Sequence, residues 1–366
     1  MPLSATSIGT LAGCLVAAAV AMAGCGGASS HATQSSSDKA VADRPPGPLS
    51  TGSFTVPGEV MVFSMSFRGI GGGEATVVTG EPGTIDGHRV VIMRSLLQSA
   101  GVVKWFKEIR DDVASWIDMA TGAPIRYRAD MIFGDKQAQV EGRFTRPGDR
   151  PCAAASRIAP SNSPSPATPG PDHATVRPAP SPASPPTSDD KNLLRVRSES
   201  GGAWSTHCAG GGQRIAVEYE RQHRKNPGKT RRLSRRFTMP AGELAHDIHS
   251  ALGAIRAWEP GPGEKAYFYA LSSRTMWLNT ITFVGRENLR TELGTYPTLR
   301  VDGIAARLTT RLQLNKRRKP RTYTLWLSDD ANRLPLRVVG HTEYGDILIE
   351  LTRYAQSDTQ GTGRSL

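Results

Sequence analysis

Period-two alternation runs through most of this chain and constrains its fold more than any other feature. Met61, Phe63, Met65 and Phe67 fall on one side of an extended backbone, with Val62, Ser64, Ser66 and Arg68 on the other. Ile215, Val217 and Tyr219 alternate with Arg214, Glu218 and Glu220. Leu308, Thr310, Leu312 and Leu314 alternate with Arg307, Thr309, Arg311 and Gln313, and Ile347, Ile349 and Leu351 with Asp346, Glu350 and Thr352. Strands of this kind bury one face and wet the other, as antiparallel sheets do. Helical spacing is clear only from Glu243 to Ala257, where Leu244, Ile248, Ala251, Leu252 and Ile255 recur. A shorter helix is expected over Ser99 to Phe106. So little helix excludes βαβ units. The expected fold is mainly β: a large curved antiparallel sheet, or half-barrel, packed against one or two helices.

One phrase occurs twice. "SWIDMATGAPIRY" spans Ser115 to Tyr127, and "LWLSDDANRLPLRV" spans Leu325 to Val338. Each reads as a strand ending near a Trp, an acidic turn, and a second strand opened by Pro124 or Pro335, where a missing N–H is tolerable. Two hairpins of one kind are expected, unless both merely share good hairpin chemistry. "KNPGK" (Lys225 to Lys229) and "GIGGGE" (Gly69 to Glu74) read as further turns. The second is no dinucleotide loop, because no helix follows it.

Pro and Gly total 64 of 366 residues. No aromatic residue precedes Phe54, and none lies between Phe144 and Trp204. The expected organisation is a signal peptide (1–24), a flexible tether (25–53), the first part of a β domain (54–145), a disordered Pro/Ser/Ala-rich insertion (146–212), the second part (213–355) and a disordered tail (356–366). "IGTLAGCLVAAAVAMA" is apolar, short for a membrane span, and leads into "AMAGC". Small residues before Cys25 resemble a bacterial lipobox, which implies cleavage and lipidation at Cys25. By resemblance to enteric lipoproteins, Gly26 implies the outer membrane, facing the periplasm. Cys152 and Cys208 bracket the Pro-rich stretch, and a disulfide is the natural pairing in an oxidising envelope, two free thiols being the alternative.

The net charge of +12 is local. Arg214 to Arg236 carries nine basic and two acidic residues, and "KRRKPR" at Lys316 to Arg321 carries five basic ones. An exported protein seldom meets nucleic acid, so none is expected as a partner. Anionic headgroups or cell-wall polymers fit such segments, as do solvated hairpin tips that guard sheet edges.

Catalytic signals are thin. His246 and His249 stand three apart on the expected helix, with no third ligand evident, so no metal and no cofactor are expected. Asp329 and Asp330 read as turn formers. "SDDK" at Ser188 to Lys191 matches a catalytic pattern only by its letters. No Gly-x-Ser-x-Gly, Walker loop or catalytic Cys-His setting occurs. Arg286 and Glu287 are adjacent, so on a strand they face opposite ways.

An ordered set of motifs carries a resemblance. It begins with Gly58 and Glu59, then "GGEATV" at Gly72 to Val77. Trp116, Asp118, Pro124 and Arg126 follow. Next come "DIHSALGAIR" with Asp247, Ser250 and Arg256, "GRE" at Gly285 to Glu287, "LGTY" at Leu293 to Tyr296, "RLPLRV" and "YGDILIEL". In this order they resemble the bacterial family called domain of unknown function 3108, over Pro57 to about Phe144 and Gln213 to about Tyr354. The family's sheet-plus-helix pattern is similar to lipoprotein carriers, whose half-barrels take acyl chains. The resemblance implies a non-catalytic envelope lipoprotein that binds a lipid, a lipoprotein or another amphipathic ligand. The alternative is a structural or interaction protein whose basic hairpins touch cell wall or membrane; an enzyme is the remotest reading. For the carrier, Leu244, Ile248, Leu252 and Ile255 would face the sheet, while Trp105, Phe106, Trp258 and Trp277 would rim or plug an opening.

Overall fold

The alternating runs become long strands. The computed structural model describes residues 46–49, 54–145, 150–151, 207–208, 212–342, 345–356 and 364–365. Before the insertion come β1 (Glu59–Phe67), β2 (Ile70–Thr79), β3 (His88–Ser99), β4 (Ile109–Asp118), β5 (Pro124–Phe133) and β6 (Lys136–Phe144). After it come β7 (Arg214–His223), β8 (Asn226–Thr238), β9 (Lys265–Ser272), β10 (Thr275–Thr291), β11 (Gly294–Arg307), β12 (Arg321–Ser328), β13 (Pro335–Thr342) and β14 (Gly345–Gln356). The helices are α1 (Gly101–Phe106) and α2 (Ile248–Arg256).

Consecutive strands pair antiparallel, except that β8 and β9 do not pair. β1 and β14 join the two halves mid-sheet. The spatial order is therefore β8 back to β1, then β14 back to β9. Two short segments, Gly47–Pro48 and Ala245–His246, run parallel to β9, so the sheet is mixed. β6 and β7 pair directly, from Phe144 opposite Ile215 to Lys136 opposite His223. The Pro-rich insertion thus interrupts a single hairpin. Asp149–Ala209 forms a separate unit, described only where Arg150–Pro151 pairs antiparallel with His207–Cys208. Cys25 and Cys152 lie outside the described residues.

The sheet must curl, and a length argument shows why. β4 and β9 stand nine strand spacings apart along the ladder, about 43 Å if flat. Yet Ser115 of β4 lies 2.6 Å from His249 on α2, and Ala245–His246, just before α2, pairs with β9. A nine-residue helix is only about 14 Å long. The sheet therefore wraps around α2, all nine residues of which are buried. Ala251, Leu252, Ala254 and Ile255 join one apolar cluster, and Ile248 joins the other, so the helix links the two cores.

The two copies of the repeated phrase are the same hairpin in structural terms. Trp116 pairs with Arg126 and Trp326 with Arg337. In both, the register then slips by one, placing Ile117 opposite Pro124 and Leu327 opposite Pro335. Asp118 Oδ1 accepts from the amides of Ala120 and Thr121, and Asp330 Oδ1 from those of Asn332 and Arg333. Both acidic turns use the carboxylate in place of a backbone carbonyl.

Three expectations need correction. The main helix starts at Ile248 rather than Glu243, because the Asp247 side chain accepts from the His249 and Ser250 amides and caps it. The preceding Ala245–His246 is strand. The short helix starts at Gly101 rather than Ser99. The Leu308–Leu314 alternation does not make a strand: β11 ends at Arg307, Leu312 adopts a left-handed φ of 59°, and Thr309 N donates to Gln313 O at 2.8 Å. Two glycines are required by close packing. A Cβ at Gly73 would come within 2.5 Å of Gln98 O, and one at Gly303 within 2.1 Å of the buried Tyr323 ring.

Candidate functional site

Two of the motifs from distant parts of the sequence meet at the end of α2. Arg256 Nη1 donates to Glu59 Oε2 and Nη2 to Glu59 Oε1, both at 2.7 Å, and Nη2 also donates to Asn332 O at 2.8 Å. The side chains are 1% and 0% exposed. The guanidinium carbon lies 4.6 Å from the Phe54 ring centroid. This bidentate pair fastens the helix to the start of β1 and to the β12–β13 turn. Burial, with Glu59 next, pushes the Tyr354 hydroxyl up to about 12.

The start of α2 holds a second polar set. Ser115 Oγ is 2.6 Å from His249 Nδ1, and Asp247 caps the same turn. These are the residue types of a hydrolytic triad, but their arrangement differs. Asp247 Oδ1 is committed to the His249 and Ser250 amides, and all three side chains are closed off from solvent. Burial raises the Asp247 carboxyl, against the Ser115 and Ser250 hydroxyls and two amides. Burial also lowers His249 to about 3 and His246 to about 4, so both rings are neutral at pH 7. His246 sits on the short strand and packs edge-on against Phe268, with ring centroids 6.2 Å apart. Among the described residues, no group of three or more His, Cys, Asp or Glu is placed to hold a metal.

Among the described residues, α2 is packed on all its faces by the chain itself. Ile248, Leu252 and Ile255 are buried, as expected of core residues, and so are Trp258 and Trp277. A cavity of about 30 Å³ lies between β1 and β4, lined by Met65, Gly72, Leu97, Ser99 and Ile109 among others. It has room for water but not for an acyl chain. On β4 nearby, both Asp111 carboxyl oxygens are buried without a hydrogen-bond partner. Burial, then Asp112 and Asp130, pushes this carboxyl well above the usual carboxylate range.

The two basic segments converge at the unpaired seam between β8 and β9–β10. β8 pairs only with β7, and its side chains form two rows. The outer row is exposed: Arg232 pairs with Glu220 at 2.9 Å, and Arg236 lies further along the same face. This row fits the reading of charges that guard a sheet edge. The inner row, Arg231 and Arg235 with Arg221 of β7, faces across the seam. Arg235 Nη1 donates to Arg274 O in the β9–β10 turn at 3.1 Å. Arg274 lies over the Tyr219 ring at 4.4 Å, and Arg321 over the Trp277 ring at 4.8 Å. Arg307 is the ladder partner of Trp277. Burial lowers Arg274, with Arg235, Arg221 and Arg231 adding to the effect against Tyr219. Burial likewise lowers Arg307, helped by Arg318, Arg235 and Arg274, and takes Arg321 to about 10, helped by Arg307 and Arg318. Both basic runs were legible in sequence. Arg274, Arg307 and their convergence were not.

The remaining sequence candidates divide cleanly. Asp329 and Asp330 are turn residues, with Asp329 also pairing Arg286 at 2.8 Å. Glu287 faces the other way, towards Trp326 Nε1 at 2.5 Å. Arg337 of "RLPLRV" pairs with Glu350 of "YGDILIEL" at 2.5 Å. Cys208 lies on the short strand opposite Arg150. The motif residues therefore supply caps, bulges and ion pairs that hold the sheet around α2.

Residues 209–352 match the family model described as protein of unknown function, DUF3108. The match covers the second of the two stretches that carry the resemblance. No curated protein matches the chain. Among solved structures, it is similar to a β-barrel-like protein of domain of unknown function DUF1849 from Brucella abortus, at 6% identity and a TM-score of 0.42, over 84% of this chain and 100% of that one. It is also similar to a candidate lipoprotein from Parabacteroides distasonis, at 10% identity and a TM-score of 0.30, over 83% and 99% of the two chains. A candidate exported protein with a YmcC-like fold from Bacteroides fragilis shows 8% identity and a TM-score of 0.30, over 83% and 99%.

Proposed function

We propose that this is a non-catalytic, lipid-anchored envelope protein that works by contact, laying the basic end of its sheet against an anionic membrane surface. The observation that carries this reading is the meeting of two basic segments, distant in sequence, at one seam of the fold. Cationic side chains near a membrane surface contribute about 1 kcal/mol each, and the attraction is screened by salt. Cleavage before Cys25 and its acylation would hold the domain at the membrane through the 25–53 tether. The carrier alternative draws no support from the described residues around α2, where the helix and its partners are packed.

The test is vesicle sedimentation of the full chain, with phosphatidylcholine alone or with added phosphatidylglycerol. The uncharged N-terminal apolar run contributes alike to both, so the ratio isolates charge. A preference for the anionic vesicles that weakens with salt is expected. Lys316→Gln with Arg317→Gln and Arg318→Gln is expected to reduce it. Equal binding to both vesicle types, or retention on isolated cell wall with no vesicle preference, overturns the membrane reading.

A further inference from the structure

Within the basic end, the inner arginines are arranged differently from a solvated charge run. Arg235, Arg274, Arg307 and Arg321 are half-buried rather than exposed. Two lie over aromatic rings, Arg274 over Tyr219 and Arg321 over Trp277, contacts that restrict where each guanidinium can sit. A third reaches across the seam to the Arg274 carbonyl. Arg274 Nη1 is buried without an acceptor, and no carboxylate lies within ion-pair distance of Arg274 or Arg307 among the described residues. The acids of β7, Glu218 and Glu220, are bound to Ser234 and Arg232 of the outer row. Like charges gathered out of water are unfavourable unless an anion joins them. Burial lowers all three guanidinium groups, and neighbouring arginines add to it: Arg235 at Arg274, Arg235 and Arg274 at Arg307, and Arg307 at Arg321.

We infer that Arg235, Arg274, Arg307 and Arg321 form a site for a phosphoryl group, and that its source is the headgroup phosphate of an anionic phospholipid. Forked guanidinium donors match the several oxygens of a tetrahedral oxyanion, and convergence of such donors favours phosphate over a single carboxylate. Exposed Arg231 and Arg318 flank the cluster and draw the headgroup in. The inference rests on the membrane-contact reading and deepens it, turning a diffuse patch into a defined notch.

The test pairs two variants of equal charge change in the full chain. R274Q/R307Q removes charge from the cluster on the far side of the seam, while R232Q/R236Q removes charge from the outer row of β8. The inner pair is expected to lower the preference for phosphatidylglycerol vesicles about tenfold, equivalent to about 1.4 kcal/mol, and the outer pair about twofold at most. Glycerophosphoglycerol is expected to displace wild-type protein from those vesicles and to leave the residual binding of the inner pair unchanged. Equal losses in the two pairs, with the wild-type preference intact, overturn the site while leaving the contact reading in place. Absence of any wild-type preference removes the contact reading itself. Displacement by inorganic phosphate but not by glycerophosphoglycerol overturns the headgroup as source. If R274Q/R307Q loses cooperative unfolding, R274K/R307K replaces it, keeping charge but not the forked donors. An intermediate loss of about threefold is then expected, and no loss overturns the geometry.

Discussion

Glu59→Gln is the sharpest perturbation of the fold. It keeps the side-chain shape but leaves Arg256 buried without a counter-ion. Both groups are almost fully excluded from solvent, and the pair is bidentate at 2.7 Å. Breaking a pair this deep costs about 3–5 kcal/mol. A folded unit of this size shifts by about 2–4 °C per kcal/mol, so Tm is expected to fall by about 6–20 °C. Arg256→Met leaves Glu59 unpaired and also strips the Asn332 carbonyl of its donor, adding about 1–3 kcal/mol. The double variant Glu59→Leu/Arg256→Met is expected to recover most of the loss, because an apolar replacement of a buried pair is often neutral. Urea unfolding of the parent, Glu59→Leu, Arg256→Met and Glu59→Leu/Arg256→Met closes a double-mutant cycle. Single-variant losses below about 1 kcal/mol, typical of exposed ion pairs, would refute the claim that this pair clamps α2.

Four other outcomes are expected. Burial depresses His246 to about 4 and His249 to about 3, so their stabilising neutral forms hold above pH 6.5 and are lost as pH falls through the window below it, at about 3 kcal/mol each by pH 4. His246→Phe should therefore move the acid-unfolding midpoint to lower pH, and an unchanged midpoint contradicts this. Asp111 has the opposite sign: its raised carboxyl gives stability that is full below about pH 3.8 and lost as pH rises, so Asp111→Asn should unfold at higher urea than the parent at pH 7, with the gap closing near pH 4. Ile248→Trp should overpack the junction of the two cores and destabilise by about 1–3 kcal/mol, with no fatty-acid binding in the parent; a stable variant that abolishes fatty-acid binding would restore the carrier reading. Non-reducing peptide mapping of envelope-derived protein should find Cys152 joined to Cys208, a bridge worth about 4 kcal/mol in the chain-entropy model, and two free thiols would rule it out.

Much of the fold was legible because alternation and turn chemistry are local. Trp116 and Trp326 announced a repeated hairpin, and both copies carry the same register slip beside the same Pro. The helix was legible from its apolar spacing, but its start was not. Leu244 continues the helical period, yet the Asp247 cap decides the boundary, and the residues before it are claimed by a pairing with β9 that is remote in sequence. The Leu308–Leu314 alternation misled for a related reason. Alternation states which side chains would share a face of a strand, and the left-handed Leu312 prevents the strand from forming.

The candidate sites were harder to read, because each depends on which distant segments the curl brings together. Glu59 and Arg256 were visible as motif letters 197 residues apart, but only the wrap around α2 makes them one buried pair. The same wrap separates two kinds of positive charge that look alike in sequence. On β8, Arg232 and Arg235 differ by three positions, hence by face. One meets Glu220 in solvent and the other meets Arg274 across the seam. The edge-guard and ligand readings of the basic run are therefore not rivals for the whole segment: strand parity assigns one row to each. That division makes the outer row of β8 a charge-matched control for the cluster, since it lies on the same strand as Arg235 but on the opposite face.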